Sequence, residues 1–144
     1  MKFKEGKVIE KFKDRNGREI IIRYPKKSDL RQIWKYQNKI IMETEFNNRL
    51  TPFNSKDKDK WWTNKKLNEI NKKNLIWLFA EHDGKIVGDC CVVREKSQVS
   101  AHTGTYGTCV LRSYWGSGIG KRMTQIIFDL AKKEMGLEMI QLVV

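Results

Sequence analysis

A glycine-rich stretch constrains the fold of this chain more than any other segment; it reads Tyr114-Trp115-Gly116-Ser117-Gly118-Ile119-Gly120-Lys121-Arg122. It separates a β-rich run, residues 103–111, from a run with helical periodicity. The apolar positions that predict one buried helix face are Ile119, Met123, Ile126, Ile127 and Leu130. A strand, a glycine loop and a helix N-terminus expose main-chain N–H groups at the positive end of the helix dipole. The stretch therefore predicts a phosphate-binding loop, whereas the alternative is an ordinary strand-to-helix turn.

Two common glycine loops fail a residue count. A P-loop requires a glycine five residues before the Gly-Lys pair and a Ser or Thr after it, but Trp115 and Arg122 occupy these positions. The dinucleotide fingerprint, counted from Gly116, requires a third glycine where Lys121 stands. Counting from Gly118 fails as well. The loop therefore belongs to another class of phosphate-binding site.

Length and composition favour one domain that spans residues 1–144, with a mass of 17.0 kDa. No apolar stretch approaches the ~20 residues of a membrane span, and the N-terminus lacks the apolar core of a signal peptide. The three cysteines include the adjacent pair Cys90 and Cys91 and form no C-x-x-C motif, and His82 and His102 fit no zinc pattern. We expect a cytoplasmic protein with reduced thiols and no metal.

The net charge of +12 predicts a surface that attracts anions. Basic residues cluster in residues 2–23 and 56–73. A generic solvated surface explains such clusters more simply than a polyanion-binding role does. No recognition helix, zinc finger or aromatic RNA-binding pattern accompanies the charge, so a nucleic-acid-associated protein is the weakest of the functional hypotheses.

The predicted order of elements is β-β-α-α-β-β-β-α-β. Asn16-Gly17 joins a hairpin of residues 7–12 and 19–24, and Asp83-Gly84 joins a second hairpin of residues 75–81 and 85–95. Between the hairpins, Ser28 is the predicted N-cap of one helix, and residues 56–70 form another. After the glycine loop, Gly136 is the predicted end of the third helix, and residues 137–144 form a last strand.

Residues 115–120 resemble the Q/R-x-x-G-x-G/A loop of the GNAT superfamily, the acyl-CoA-dependent N-acyltransferases, although Trp115 stands where Gln or Arg is usual. The order of elements matches that superfamily through its fifth core strand. The resemblance implies an α/β (α+β) fold: a mixed, mostly antiparallel sheet flanked by helices, with strands that splay at the cofactor cleft. It implies acetyl-CoA as cosubstrate and no metal. The implied cofactor-binding residues are Thr108, Cys109, Val110, Gly116, Ser117, Gly118, Ile119, Gly120 and Lys121.

The resemblance also implies that an amine acceptor attacks the thioester directly, while a main-chain N–H near Cys109 or Val110 stabilises the oxyanion. Relatives place a catalytic Glu where this chain has Gly104 or Thr105, so the general base is unidentified. Tyr106 is a weak catalytic candidate, because a strand Tyr more often packs. Three further groups stay open: His102 as a relay, the neighbouring acids Glu81, Asp89 and Glu95, and Cys109 as a nucleophile, which lacks a partner His.

The acceptor is not readable from the sequence, and either a small molecule or a protein fits. By resemblance, Trp34, Trp61 and Trp62 lie where the acceptor wall is usually built. Relatives continue beyond the fifth core strand with a further helix, which carries a Tyr, and a closing hairpin. We therefore expect residues 139–143 to form an apolar sheet edge that can pair with a second copy, which light scattering would detect as a dimer. The leading hypothesis is an N-acetyltransferase, and the alternative is a non-catalytic CoA-binding or sensor module.

Overall fold

The computed structural model describes residues 5–43, 74–94 and 103–142. Its strands are β1 (Val8–Lys13), β2 (Glu19–Arg23), β3 (Leu75–His82), β4 (Lys85–Arg94), β5 (Thr103–Val110) and β6 (Met139–Leu142), and its helices are α1 (Leu30–Glu43) and α2 (Ile119–Met135). Short 3-10 turns, Lys27–Asp29 and Arg112–Tyr114, precede the two helices. The helix predicted at residues 56–70 lies outside the described residues.

The six strands form one sheet in the order β1-β2-β3-β4-β5-β6. The first four pairings are antiparallel, and β5 pairs with β6 in parallel across the α2 crossover. The predicted mixed, mostly antiparallel sheet with flanking helices is confirmed. The described ladder between β5 and β6 runs from Thr103–Met139 to Tyr106–Leu142, whereas β5 continues to Val110. Within the described residues, β6 therefore pairs only with the first half of β5.

Local turn chemistry fixes both predicted hairpins. Gly17 has a φ of 79° in the first turn, and Asp83 and Gly84 have φ values of 50° and 77° in the second. These left-handed conformations are the ones that Gly, Asn and Asp tolerate best. Gly136 ends α2 with a φ of 64°, as predicted, and its N–H donates to Ala131 O.

The core is formed by the sheet together with α2 and with α1, which contributes Ile33, Tyr36 and Ile40. The buried residues of α2 are Ile119, Met123, Ile127, Ala131 and Met135. Of the predicted stripe, Ile126 and Leu130 are only partly buried. The buried face extends further along the helix than predicted, because it includes Ala131 and Met135. The helix α1 begins one residue later than predicted, since Ser28, the predicted N-cap, lies in the 3-10 turn and the α-helix begins at Leu30.

Arg23 makes a buried ion network that ties β2 to β3 and to the start of α1. Its Nη1 and Nη2 atoms donate to the two Asp29 carboxylate oxygens at 2.9 Å, and its Nε donates to Glu81 at 2.9 Å. Arg23 and Asp29 are only 3% and 1% exposed. Glu81, which the sequence left without a direction, therefore serves the fold here rather than the cleft.

Candidate cofactor cleft

The glycine loop turns sharply before α2. Gly116 and Gly118 have φ values of 70° and 92°, a region that residues with a Cβ adopt only at a cost. Gly118 is the N-cap of α2, which begins at Ile119. In the described part of the chain, the N–H groups of residues 116–121 have no acceptor, while the neighbouring Arg122 N–H donates to Gly118 O. A row of free donors at the positive end of α2 suits an anion.

An open cleft of about 450 Å³ lies in front of this loop. Its lining residues are Arg15, Thr108, Cys109, Val110, Tyr114, Trp115, Gly116, Ser117, Gly118, Ile119, Gly120 and Lys121. All nine residues predicted to bind the cofactor are among them, so the structure brings these residues together. The described lining contains two cations, Arg15 and Lys121, and no carboxylate, which gives the cleft a positive potential.

The first hairpin packs against the glycine loop, a contact that the sequence analysis did not predict. The Arg15 N–H donates to Ser117 O at 3.0 Å, and Arg15 Nη1 donates to Gly116 O at 3.2 Å. Arg18 Nη1 donates to Ser113 O at 3.3 Å, and its guanidinium lies 4.0 Å from the centre of the Tyr114 ring. The hairpin thus occupies carbonyl groups of the loop, which leaves the loop N–H groups facing the cleft.

Asp14 holds this hairpin turn in place. Its Oδ1 accepts the N–H groups of Asn16 and Arg18 at 2.9 Å, and its Oδ2 accepts Arg18 Nε at 2.8 Å. Burial by itself raises the pKa of Asp14, but these hydrogen bonds outweigh burial, so the pKa lies below its usual value. The carboxylate is therefore ionised over the whole neutral range and fixes the loop that carries Arg15.

A pH profile tests the role of Asp14. Because its pKa is lower in the folded chain than in the unfolded chain, ionised Asp14 stabilises the fold above about pH 4, and this stability is lost as the pH falls through the folded-state pKa. We expect Asp14→Asn to lower the Tm at pH 7 and the Tm difference from wild type to shrink below about pH 4. Thermal melts across this range measure it, and a constant difference at all pH values would contradict the assignment.

The edge of β5 presents main-chain donors to the cleft. Leu111 N–H donates to Val87 O at 2.9 Å on the β4 side, and the β4–β5 register is regular from Gly88–Val110 to Arg94–Gly104. Alternate residues of a strand point their N–H groups to opposite sides. Cys109 N–H therefore faces β4, whereas the N–H groups of Thr108 and Val110 face the cleft. Of the two expected oxyanion donors, the alternation favours Val110 over Cys109.

Trp115 connects the loop to the end of β5. Its indole Nε1 donates to Val110 O at 2.7 Å, and Arg112 lies 5.5 Å from the indole ring centre. Gln and Arg, which the resemblance leads us to expect at this position, also carry side-chain N–H donors. The departure from the usual pattern therefore retains a donor at the position.

Two substitutions of Trp115 distinguish the role of its hydrogen-bond donor from the role of its ring size. We expect Trp115→Phe to weaken CoA binding about fivefold, because loss of the hydrogen bond releases the loop from β5. Trp115→Gln, which keeps a donor, should stay within about twofold of wild type. Titration calorimetry measures both, and equal losses in the two variants would show that indole packing matters instead.

Tyr106 points away from the cleft edge of β5 and towards α2. Its hydroxyl bonds to Thr124, which donates in turn to Gly120 O at 2.8 Å, and its ring packs at 5.1 Å from Phe128. Because the Thr124 proton is committed to Gly120, Tyr106 donates to Thr124. Burial raises the pKa of Tyr106, although the Thr124 hydrogen bond opposes the shift. This geometry favours packing and support of α2 over proton transfer.

The two positions where relatives place a Glu differ in the space they offer. A Cβ on Gly104 would lie 2.6 Å from Leu137 Cδ1 and 2.9 Å from Val92 Cγ1, so this position has no room for any side chain. Thr105 is half-buried and does not ionise as an acid. The described cleft therefore receives no carboxylate from this strand.

Asp89 forms a polar cluster on the face of β4 that packs against α1. Its carboxylate accepts Tyr36 Oη at 2.7 Å and Trp77 Nε1 at 3.0 Å, and Tyr36 Oη also lies 3.1 Å from Cys109 O. Burial first, and then the charge of Asp89, raise the pKa of Tyr36 well above its ordinary value. The neutral Tyr36 thus bridges α1 to the strand that lines the cleft, a link that no local sequence signal reveals.

Cys109 is unsuited to nucleophilic catalysis. Although the residue is exposed in the cleft, the burial of its thiol by surrounding atoms, with contributions from Asp89 and Cys91, raises its pKa to about 11. A thiol with this pKa is protonated at neutral pH, and only the thiolate attacks. Cys90 and Cys91 form no disulfide, and burial raises the pKa of Cys90 well above its ordinary value.

Several sequence candidates fall outside the part of the chain that the structure describes. They are His102, Glu95, Trp61 and Trp62, while Trp34 lies in α1 but its side chain is not described. Within residues 5–43, 74–94 and 103–142, no helix has the length and apolarity needed to cross a bilayer, and no three metal-binding side chains cluster.

Solved structures share this architecture. The acetyltransferase of the GNAT family from Streptococcus pneumoniae matches with a TM-score of 0.73 and 23% identity, over 85% of this chain and 73% of its own. Ribosomal-protein-S5-alanine acetyltransferase from Vibrio fischeri gives 0.73 and 20%, over 85% and 69%. The acetyltransferase yncA from Salmonella typhimurium, solved with its cofactor acetyl-CoA, gives 0.65 and 19%, over 83% and 67%. A search of curated proteins found no match.

The mixed sheet and the glycine loop at a helix N-terminus define the acyl-CoA N-acyltransferase class of fold. A family model agrees with this class, since the acetyltransferase (GNAT) family matches residues 34–144. The chain belongs to the GNAT acetyltransferase family.

Proposed function

We propose that this chain is an N-acetyltransferase that transfers an acetyl group from acetyl-CoA to an amine, without a covalent enzyme intermediate. The observation that carries the proposal is the row of unpaired main-chain N–H groups at residues 116–121, which faces an open cleft at the start of α2. These donors, the cations Arg15 and Lys121 and the lack of a carboxylate in the described lining fit a diphosphate. A solved neighbour that contains acetyl-CoA supports the same ligand class.

Acetyl-CoA would supply an activated acyl group, and the residues of this chain bind and orient it. Residues 116–121 hold the diphosphate through main-chain donors, while the cleft side of β5 offers the N–H groups of Thr108 and Val110. A main-chain N–H at this edge stabilises negative charge on the acyl oxygen as the amine attacks. Trp115 Nε1 donates to Val110 O, and Tyr36 Oη lies 3.1 Å from Cys109 O. These contacts hold the end of β5, which carries the main-chain donors, from both sides.

The acceptor is an amine of a small molecule or of a protein. The names of two neighbours give an example of each class: a spermidine N-acetyltransferase chimera and a ribosomal-protein-S5-alanine acetyltransferase. Cys90, Cys91 and Cys109 form no disulfide, which fits a reducing compartment, and we propose a cytoplasmic location on that basis. We also propose that two copies of the chain pair through β6, which lies at the edge of the described sheet.

A second candidate is a CoA-binding module without turnover. It is favoured by Gly104 and Thr105, which supply no carboxylate to the cleft, and by the steric block at Gly104. The acetyltransferase is preferred because the cleft presents oxyanion donors on β5 in addition to the diphosphate loop, and a pure CoA sensor does not require them.

Thiol release distinguishes the two candidates. The protein is incubated with acetyl-CoA and a panel of amines that includes polyamines and peptides with N-terminal alanine, and free CoA is measured with a thiol reagent. We expect amine-dependent thiol release with at least one class of acceptor. Thermal stabilisation by CoA with no release above the amine-free rate for any acceptor would select the binding module.

A further inference from the structure

We propose that Arg15, on the turn between β1 and β2, is a phosphate-binding residue of the cleft that contacts the diphosphate of the CoA ligand. The inference rests on the proposed function, because it assigns a residue to the same ligand. Arg15 lies before residues 34–144, the region that the family model matches. The family match alone therefore assigns no role to the hairpin that carries it.

Placement is the first argument. Arg15 lines the cleft together with the glycine loop, and its Nη1 donates to Gly116 O at 3.2 Å. Its Nε lies 3.8 Å from the position that a Cβ on Gly118 would occupy. The guanidinium thus stands at the two left-handed glycines, where the free N–H groups of the loop begin. A diphosphate seated on these N–H groups lies within reach of this side chain.

Preorganisation is the second argument. The Arg15 main chain is fixed to Ser117 O at 3.0 Å, and the preceding Asp14 is locked into the turn by three hydrogen bonds. A further ion pair joins Glu10 of β1 to Arg122 of α2. The turn is therefore held against both the loop and the helix, so the charge of Arg15 is delivered to the cleft at little entropic cost.

Donor capacity is the third argument. A guanidinium carries five N–H donors in a planar fork, and the contact with Gly116 O uses one of them. The remaining donors match the paired oxygens of a phosphate, and Arg binds such groups in a bidentate way. Arg15 is exposed at the rim, whereas Arg18 on the same hairpin is committed to Asp14 and Ser113. Of the two arginines at this turn, Arg15 is thus the one available to a ligand, since the remaining Nη2 of Arg18 is buried.

Charge variants of the full chain test the proposal by calorimetry with CoA and with 3′-dephospho-CoA. We expect R15Q to raise the Kd about fivefold for both ligands, and the charge reversal R15E to raise it about twentyfold. R15K, which keeps the charge but loses the planar fork, should raise the Kd less than R15Q does, by about twofold to threefold. K11Q, an equal charge change at an exposed β1 residue outside the cleft lining, is the matched control and should change neither Kd.

The outcomes separate the proposal from its alternatives. A purely structural role, in which Arg15 only holds Gly116 O, predicts equal losses in R15Q and R15K and would overturn it. So would R15Q and R15E that bind both ligands as tightly as K11Q does. A loss confined to CoA and missing with 3′-dephospho-CoA would move Arg15 to the 3′-phosphate and reject the diphosphate assignment. Failure of the wild-type chain to bind CoA at all would instead reject the proposed function.

Discussion

Gly118→Asp is expected to weaken CoA binding about 100-fold or more, because it places a carboxylate among the donors that hold the diphosphate. Gly118 has a φ of 92° at the N-cap of α2, and its neighbours on both sides carry unpaired N–H groups. A like charge at this point opposes the ligand directly. The side chain also restricts a backbone conformation that glycine adopts freely.

Gly118→Asn separates the charge from the strain. Asn and Asp have nearly the same shape, and both tolerate left-handed backbone better than other residues with a Cβ. We expect Gly118→Asn to lose about tenfold or less in affinity, so the ratio between the two variants measures the electrostatic part. Calorimetry with CoA gives both values.

Gly136→Asp is the matched control at the opposite end of the same helix. Gly136 has a φ of 64° and no atom within 4 Å of an added Cβ, so it imposes similar backbone strain away from the cleft. We expect it to lower the Tm but to leave CoA affinity within about twofold of wild type. Equal losses of affinity at positions 118 and 136 would show that helix stability, and not the loop, controls binding.

Arg23→Ala is expected to lower the free energy of unfolding by about 3–5 kcal/mol. The change leaves Asp29, which is 1% exposed, as a buried carboxylate without its bidentate partner. It also removes the bond to Glu81 on β3. Breaking one side of a buried pair is costly because the remaining charge stays desolvated. Urea unfolding measures the effect.

Two further variants help to interpret the loss of unfolding free energy in Arg23→Ala. Lys133→Ala breaks the exposed ion pair with Asp129, whose side chains are 71% and 61% exposed, and should cost less than about 0.5 kcal/mol. Replacing Arg23 by Met and Asp29 by Leu together should recover part of the stability, because the buried Asp29 carboxylate is removed with its partner, while Glu81, whose side chain is 18% exposed, retains contact with water. A single Arg23→Ala variant as stable as Lys133→Ala would contradict the buried network.

The sequence predicted the turns, the helix end and the loop whose conformations depend on neighbouring residues. The Asn16-Gly17 turn, the Gly136 helix end and the glycine loop are read from neighbouring residues, because a backbone with positive φ selects glycine. The clustering of residues 108–110 with residues 116–121 follows from the strand-loop-helix order. These features predicted that residues 108–110 and 116–121 lie together, whereas their role in binding the cofactor stays a prediction.

Contacts between residues far apart in the chain could not be predicted from the sequence. Arg15 and Gly116 are 101 positions apart, and Tyr36 and Asp89 are 53 apart, so neither pairing leaves a periodic or spacing signal. The Asn16-Gly17 turn predicted that Arg15 lies at a hairpin tip but not which surface that tip contacts. The direction of Asp89 and the commitment of Tyr106 to Thr124 depend likewise on which sheet face each residue occupies, and this requires the register.

The most direct test of the account is a calorimetric titration of the folded wild-type chain with CoA and with acetyl-CoA. Main-chain donors at residues 116–121 predict saturable binding of both ligands at one site, with a Kd in the range of about 1 μM to 1 mM that is common for enzyme substrates. The Gly118→Asp variant should show no saturation in the same range. A wild-type chain that is folded by circular dichroism and gives no binding heat with millimolar ligand would contradict the claim that this loop holds a diphosphate.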